Sequence, residues 1–367
     1  MAIDQQSTAR VSGGEPTPGR TAPRTEPNRW INALSFQTIS AVYIFIALFV
    51  LFSFWVPDTF LRANTWRAML DDQSITALTA VGLVIPLSAG TFNLAIGAQV
   101  GFGSIVSAWF LSHQGLPIAV TLVLTLISGA AIGLITGLLI VAAKIDSFIA
   151  TLGVSSVLLA LTTWVSGGQQ ILDLGASYQR IATNDLFGIT YPVYFVVVVS
   201  LAVWYVLERT PSGRRVYATG GNAEAARLAG VRTSVTVVLC LVGCGVIAAA
   251  AGCLVSSRLA TGDPTVGPGY LLPAFAAAFL GSTQFRGGRY NVWGTVLAVY
   301  VLATGVKGLQ LAGAPVWIPD LFNGLALLLA VGLAKRQGRS GRGAAIARMI
   351  GRRRRTTDPG AVGVGPA

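Results

Sequence analysis

Residues 118–142 read IAVTLVLTLISGAAIGLITGLLIVA, a run without one charged side chain, bounded by Pro117 and Lys144. A helix at the surface of a soluble protein needs an apolar stripe, not an apolar circumference. A hydrocarbon layer about 30 Å thick, by contrast, demands about 20 apolar residues per helix. The stretch therefore reads as a membrane span. Its Leu, Ile, Ala and Gly show no strand-like alternation, and lipid admits only helices or closed barrels, so a helix is expected.

The same pattern recurs outward from it. Apolar blocks cover about residues 39–56, 74–88, 94–111, 118–142, 148–165, 189–207, 234–255, 270–280, 292–311 and 316–334. The chain is 53% apolar and 11% charged, with mean hydropathy +0.67. Soluble domains carry about a quarter charged residues, so a water-facing surface of ordinary size is excluded. The expectation is an all-α membrane protein with about ten transmembrane helices in the cytoplasmic membrane.

The net charge of +12 is concentrated. Four arginines (Arg10, Arg20, Arg24, Arg29) precede the first block, five (Arg209, Arg214, Arg215, Arg227, Arg232) lie in 208–233, and nine basic residues run from Lys335 to Arg355. Loops retained in the cytoplasm look like this, so both termini are expected inside, with the lipid bilayer rather than nucleic acid as the neighbour of Arg352–Arg355. Ten crossings put all three segments on one side. Residues 1–38, rich in Pro, Gly, Arg and Thr, read as a flexible cytoplasmic tail, too long and polar for a signal peptide. Residues 39–335 form the transmembrane domain and 336–367 a basic cytoplasmic tail. Asp58, Arg62, Arg67, Asp71 and Asp72 are expected in an external loop, and 167–188 as an external segment. Two interruptions, around 90–97 and 262–288, occupy similar places in the two halves, the usual trace of a duplicated transporter with broken helices.

Reactive groups are scarce. No Gly-x-x-x-x-Gly-Lys-Ser/Thr loop is present to cradle ATP phosphates, and no cofactor bound by this chain is expected. Cys240, Cys244 and Cys253 fall in one apolar block and read as packing residues; no His or carboxylate joins them, so no metal site is expected. His113 sits at a block end. Intramembrane ionisable groups are functional by default, but the blocks hold almost none. Lys307 can snorkel to the interface. An energy source outside the chain fits this best, with a stand-alone secondary carrier of a neutral polar solute as the alternative. A membrane enzyme or scaffold finds no reactive group.

The segment from Arg214 to Val231 carries the most local information. Asn222 can cap a helix, Glu224 sits in its first turn against the positive end, and Gly230 can terminate it. The result is a two-turn helix in a cytoplasmic loop. It is either a surface helix between spans or one stabilised by a partner's groove, since so short a helix is marginal alone.

That segment resembles the Gly-Gly-Asn-x-Glu-Ala-Ala-Arg-Leu-x-Gly coupling loop of the ribose/xylose/galactose-type ABC importer permeases. Lys144 to Gly153 resembles the family's Pro-Ser-Phe-Ile-Ala-Thr-Leu-Gly motif, Gly90 to Ala98 its Gly-x-x-Asp-Leu-Ser-Val-Gly-Ser motif, and Leu280 to Thr295 its Gly-Gly-Thr, Gly-Gly-Arg-Gly and Gly-Thr run. The four stand in the family's order. Asn93 replaces the family's Asp, Asp146 its Pro, and Leu271-Leu272 its Glu-Leu. The resemblance implies a membrane subunit that translocates a monosaccharide such as ribose, xylose or galactose. It would work with a cytoplasmic ABC ATPase subunit holding the ATP, an external sugar-binding protein, and a second permease copy, as a homodimer or related heterodimer. On the same footing, Gly220, Gly221, Asn222, Glu224, Ala225, Ala226, Arg227, Leu228 and Gly230 are expected to couple to the ATPase. Phe92, Asn93, Ser147, Phe148 and Thr151 are expected to face the path between the two copies.

Overall fold

The computed structural model describes residues 40–283 and 288–332. The tails expected at 1–38 and 336–367, the outer limits of the first and tenth blocks, and Arg286 lie outside the described residues. Among the described residues the helices longer than four residues are α1 (Ser40–Trp55), α2 (Ala63–Ser88), α3 (Ile96–Ser112), α4 (Ile118–Val141), α5 (Ser147–Ser166), α6 (Ala176–Thr183), α7 (Tyr191–Arg209), α8 (Pro211–Gly221), α9 (Ala223–Leu228), α10 (Thr233–Leu259), α11 (Leu271–Ser282), α12 (Val292–Leu311) and α13 (Ile318–Gly332). A two-residue antiparallel pairing, Asp185–Leu186 with Ile189–Thr190, precedes α7. The protein is an all-α membrane protein. Among the described residues α2, α4, α5, α7, α10 and α12 are long and apolar enough to cross a bilayer, and α1, α3 and α13 contain shorter apolar helices.

α10 forms the centre, packing on α4, α3 and α2. Lipid tails are as apolar as leucine, so burial alone does not drive helices together in a membrane; close packing of small residues does. Gly129, Gly133 and Gly137 stand four residues apart along α4, on one face. A Cβ on Gly129 would overlap the Gly245 carbonyl oxygen, one on Gly133 would lie 2.7 Å from Val242 Cα, and one on Gly137 3.0 Å from Val238 Cα. The two backbones are thus in direct contact along the stripe. Cys240, Cys244 and Cys253 are buried on α10.

Contacts between distant segments sort into two ends. At one end Gly220 meets Ser88 and Gly90, and the Tyr217 hydroxyl donates to the Tyr290 carbonyl at 3.0 Å. At the other, Arg258 pairs with Asp71 at 3.3 Å and with Asp72, Lys307 approaches Asp72 at 3.9 Å, and Ile171 bridges to Gly262.

Two expectations are corrected. The helix of the second block does not begin near residue 74: α2 starts at Ala63, so Arg67, Asp71 and Asp72 lie on a helix rather than in a loop. Charge raises the cost of immersion in lipid but does not stop a helix, and here Arg258 and Lys307 neutralise the two aspartates. The stretch 167–188, expected outside, carries α6, whose Tyr178 is buried against α10 with its hydroxyl donating to the Cys253 carbonyl at 2.9 Å. The loop 208–233 begins with a second helix, α8, which places Gly220 and Gly221 at a helix end.

Candidate functional site

The residues singled out in the sequence lie along a chain of contacts: α9 packs on α8 and α10, α8 touches the end of α2, and the break after α2 is tied to α5. α9 forms as its sequence dictates. Asn222 leaves the helix with φ −159° and its Oδ1 accepts from Ala225 N at 3.0 Å. Gly230, at φ +86°, reverses the chain in the left-handed region that glycine adopts without penalty. Val231 N then donates to the Ala226 carbonyl at 2.9 Å and Gly230 N to Arg227 at 3.0 Å, consuming the last carbonyls. Glu224 pairs with Arg227 at 2.8 Å, both well exposed, a pairing that contributes little stability. Ala226 is buried, whereas Leu228 is 82% exposed. Leu228 thus stands in solvent on a short helix whose two ends are both satisfied.

α8 lies just before it. Thr210 Oγ1 accepts from Gly213 N at 3.4 Å, with Pro211 at the first helical position. The Tyr217 ring sits 3.5 Å beneath the Arg289 guanidinium. Burial, with the nearby Glu208 charge, raises the Tyr217 pKa, and burial pushes Tyr290 up to about 12, so both remain neutral hydroxyls at physiological pH. At the far end of α8 a Cβ on Gly220 would overlap the Ser88 carbonyl oxygen and stand 3.0 Å from Gly90 N. Gly221 meets nothing within 4 Å. α8 therefore connects the α9 segment to the end of α2 by backbone contact.

α2 ends in a break over residues 89–95, where Gly90 takes φ +77° and Thr91 N donates back to the Pro86 carbonyl. Asn93 is wholly buried. Its Oδ1 accepts from Ala95 N at 3.1 Å, and its Nδ2 donates to Gln99 Oε1 and Cys244 Sγ, both at 3.2 Å. The break is tied to α5 by Leu94 N donating to Thr151 Oγ1 at 3.1 Å and Phe92 N to Ser147 Oγ at 3.4 Å. Asp146, standing where the resemblance expects Pro, caps α5 by accepting from Phe148 N at 2.9 Å. The five residues expected on a path thus come together but face differently. Phe92 and Phe148 are exposed, Ser147 is half-buried, and Asn93 and Thr151 turn inward to hold the break.

As an amide, Asn93 accepts from Ala95 N and donates to Gln99 and Cys244 at the same time. Asn93→Ala is expected to leave Ala95 N and Gln99 Oε1 unpaired, at about 1–3 kcal/mol each. Thermal unfolding of purified protein in detergent checks this, and an unchanged midpoint would remove the role.

The sequence profile of the family described as "Branched-chain amino acid transport system / permease component" matches residues 68–331. The chain is 33% identical over 297 residues to the ribose import permease protein RbsC of Bacillus subtilis, covering 80% of this chain and 92% of that protein. It is 31% identical over 294 residues to the ribose import permease protein RbsC of Haemophilus influenzae, covering 78% and 90%. It is 26% identical over 362 residues to the xylose transport system permease protein XylH of Escherichia coli, covering 82% and 92%. No solved structure matches the chain. Similarity over nearly the full length of such relatives, in a multi-pass helical membrane protein, establishes that the chain belongs to the ribose/xylose-type family of ABC importer permeases.

Proposed function

We propose that this chain is the membrane-spanning subunit of an ATP-driven importer of the cytoplasmic membrane. It moves a neutral monosaccharide inward while a separate cytoplasmic ATPase, docked on α9, holds the ATP. An external sugar-binding protein delivers the solute, and a second permease copy, identical or related, completes the path. The observation that carries this reading is α9: a helix with both ends capped, Leu228 standing in solvent, and α8 running from it to the break at 89–95. Ribose permeases among the relatives support the substrate class, as do spans whose charged residues pair at one end. In this arrangement Phe92, Ser147 and Phe148 face the path, with Asn93 and Thr151 bracing it from behind.

Ten crossings with both tails in the cytoplasm accord with the gathering of 88–90, 208–232 and 289–291 at one end. Duplication of the halves is supported by exchange of packing partners. α10 packs on α4 and α3, and α2, its counterpart, packs on α12 and α11. Superposing 63–166 on 233–332 tests this, and a helix order that fails to match would reject it.

The function is tested in proteoliposomes holding the chain, its ATPase and its binding protein, with labelled ribose and xylose outside. Uptake is expected only with ATP inside, and Glu224→Lys is expected to lower it about tenfold, within the range of coupling energies between sites. Uptake by the chain alone under an ion gradient would overturn the proposal.

A further inference from the structure

Behind α9, on the same end of the molecule, lies a cavity of about 790 Å³ between α7, α8 and the start of α10. That volume is in the range of small-molecule sites. Its lining is chemically mixed. Arg215 of α8 and Arg232, the residue before α10, line it, and neither forms an ion pair among the described residues. Val235 and Leu239, one helical turn apart on α10, and Val206 of α7 line it as well. Val235 and Leu239 are both more than half exposed, at 51% and 63%.

Residues 208–233 carry five arginines against two glutamates, a net of three positive charges. An anion is therefore favoured at the arginines. A free anion or an acidic protein loop would satisfy the guanidinium groups but leave the apolar residues uncovered. A molecule with an anionic head and an acyl chain satisfies the arginines and the apolar residues at once, and basic pockets between spans at the cytoplasmic face take such headgroups.

We propose that this cavity binds an anionic phospholipid of the inner leaflet, its phosphate held by Arg215 and Arg232 and one acyl chain laid along Val235, Leu239 and Val206. The proposal rests on placing 208–233 at the cytoplasmic end. Because the cavity is also lined by Ala229 to Arg232, the segment leaving α9, the lipid supports the docking helix from behind.

The full purified chain, mixed in neutral detergent with equal amounts of phosphatidylglycerol and phosphatidylcholine and weighed intact by native mass spectrometry, tests the site. Phosphatidylglycerol is expected to remain bound in preference, and R215Q/R232Q to lower that preference at least about tenfold. R215K/R232K is expected to keep most of it, and R214Q, an exposed arginine outside the cavity, all of it. If the double glutamine variant does not fold, R215Q and R232Q separately are expected to lower the preference about threefold each. A wild-type preference in those variants, equal retention of phosphatidylcholine, or full displacement by millimolar inorganic phosphate would overturn the proposal. The binding is read without transport, so its failure leaves the permease assignment standing. The sidedness fails separately, if A218C in whole cells reacts with an impermeant thiol reagent added outside.

Discussion

Gly133→Leu is expected to abolish the folded protein or to lower its stability by more than about 3 kcal/mol, at or beyond the upper end of overpacking costs. A Cβ on Gly133 overlaps the Leu241 carbonyl oxygen and lies 2.7 Å from Val242 Cα. Both are backbone atoms, so no side chain can rotate away. The remaining response is separation of α4 from α10, which also breaks the contacts at Gly129 and Gly137. Against a typical total stability of about 5–15 kcal/mol, that is a large fraction. Gly153→Leu on α5 is the control, because nothing lies within 4 Å of its Cβ. Size-exclusion profile and thermal midpoint in detergent are the measurements. Equal losses in the two variants would mean that generic glycine effects, not the α4–α10 contact, set the stability.

Gly220→Val is expected to cost uptake at least about tenfold while ATP hydrolysis by the assembled complex persists, a loss within typical coupling energies. Here too the obstacle is backbone: the Ser88 carbonyl, Ala89 C at 3.0 Å and Gly90 N at 3.0 Å. The variant pushes the end of α8 off the end of α2, cutting the link between the α9 segment and the break beside Phe92. Ala218→Val, exposed on the same helix, is expected to change uptake by less than about twofold, as surface substitutions usually do. Parallel loss of uptake and hydrolysis in Gly220→Val would point to failed assembly instead. Coupled wild-type transport would dismiss the contact altogether.

Some of this was open to reading along the chain and some was not. The start of α8 was legible: Thr210-Pro211 is a cap followed by proline at the first helical position, a helix-start signal. The arginines around it read as loop and mask that signal. The glycine stripe at 129, 133 and 137 was equally visible as a small-residue pattern, but its partner helix was not. Asn93 was expected on the path between copies, whereas it is wholly buried within this chain, an orientation its sequence neighbours do not specify. Its side-chain nitrogen donates to Gln99 on α3 and to Cys244 on α10, the latter 151 residues away.

Membrane residence and the sites of the long helices are determined by the sequence alone, because burial in hydrocarbon depends on the run of apolar residues and on nothing further along the chain. The same holds for α9, whose Asn222 cap and Gly230 reversal act within eight residues of each other. Tertiary structure decided the rest: that α8 touches the break through Gly220, that Arg258 and Lys307 neutralise Asp71 and Asp72, and that Arg215 and Arg232 line one cavity with Val206, Val235 and Leu239. Each of these sets atoms from distant segments within a few ångströms. Such distances are selected by helix packing, which in lipid turns on where small residues let two backbones meet.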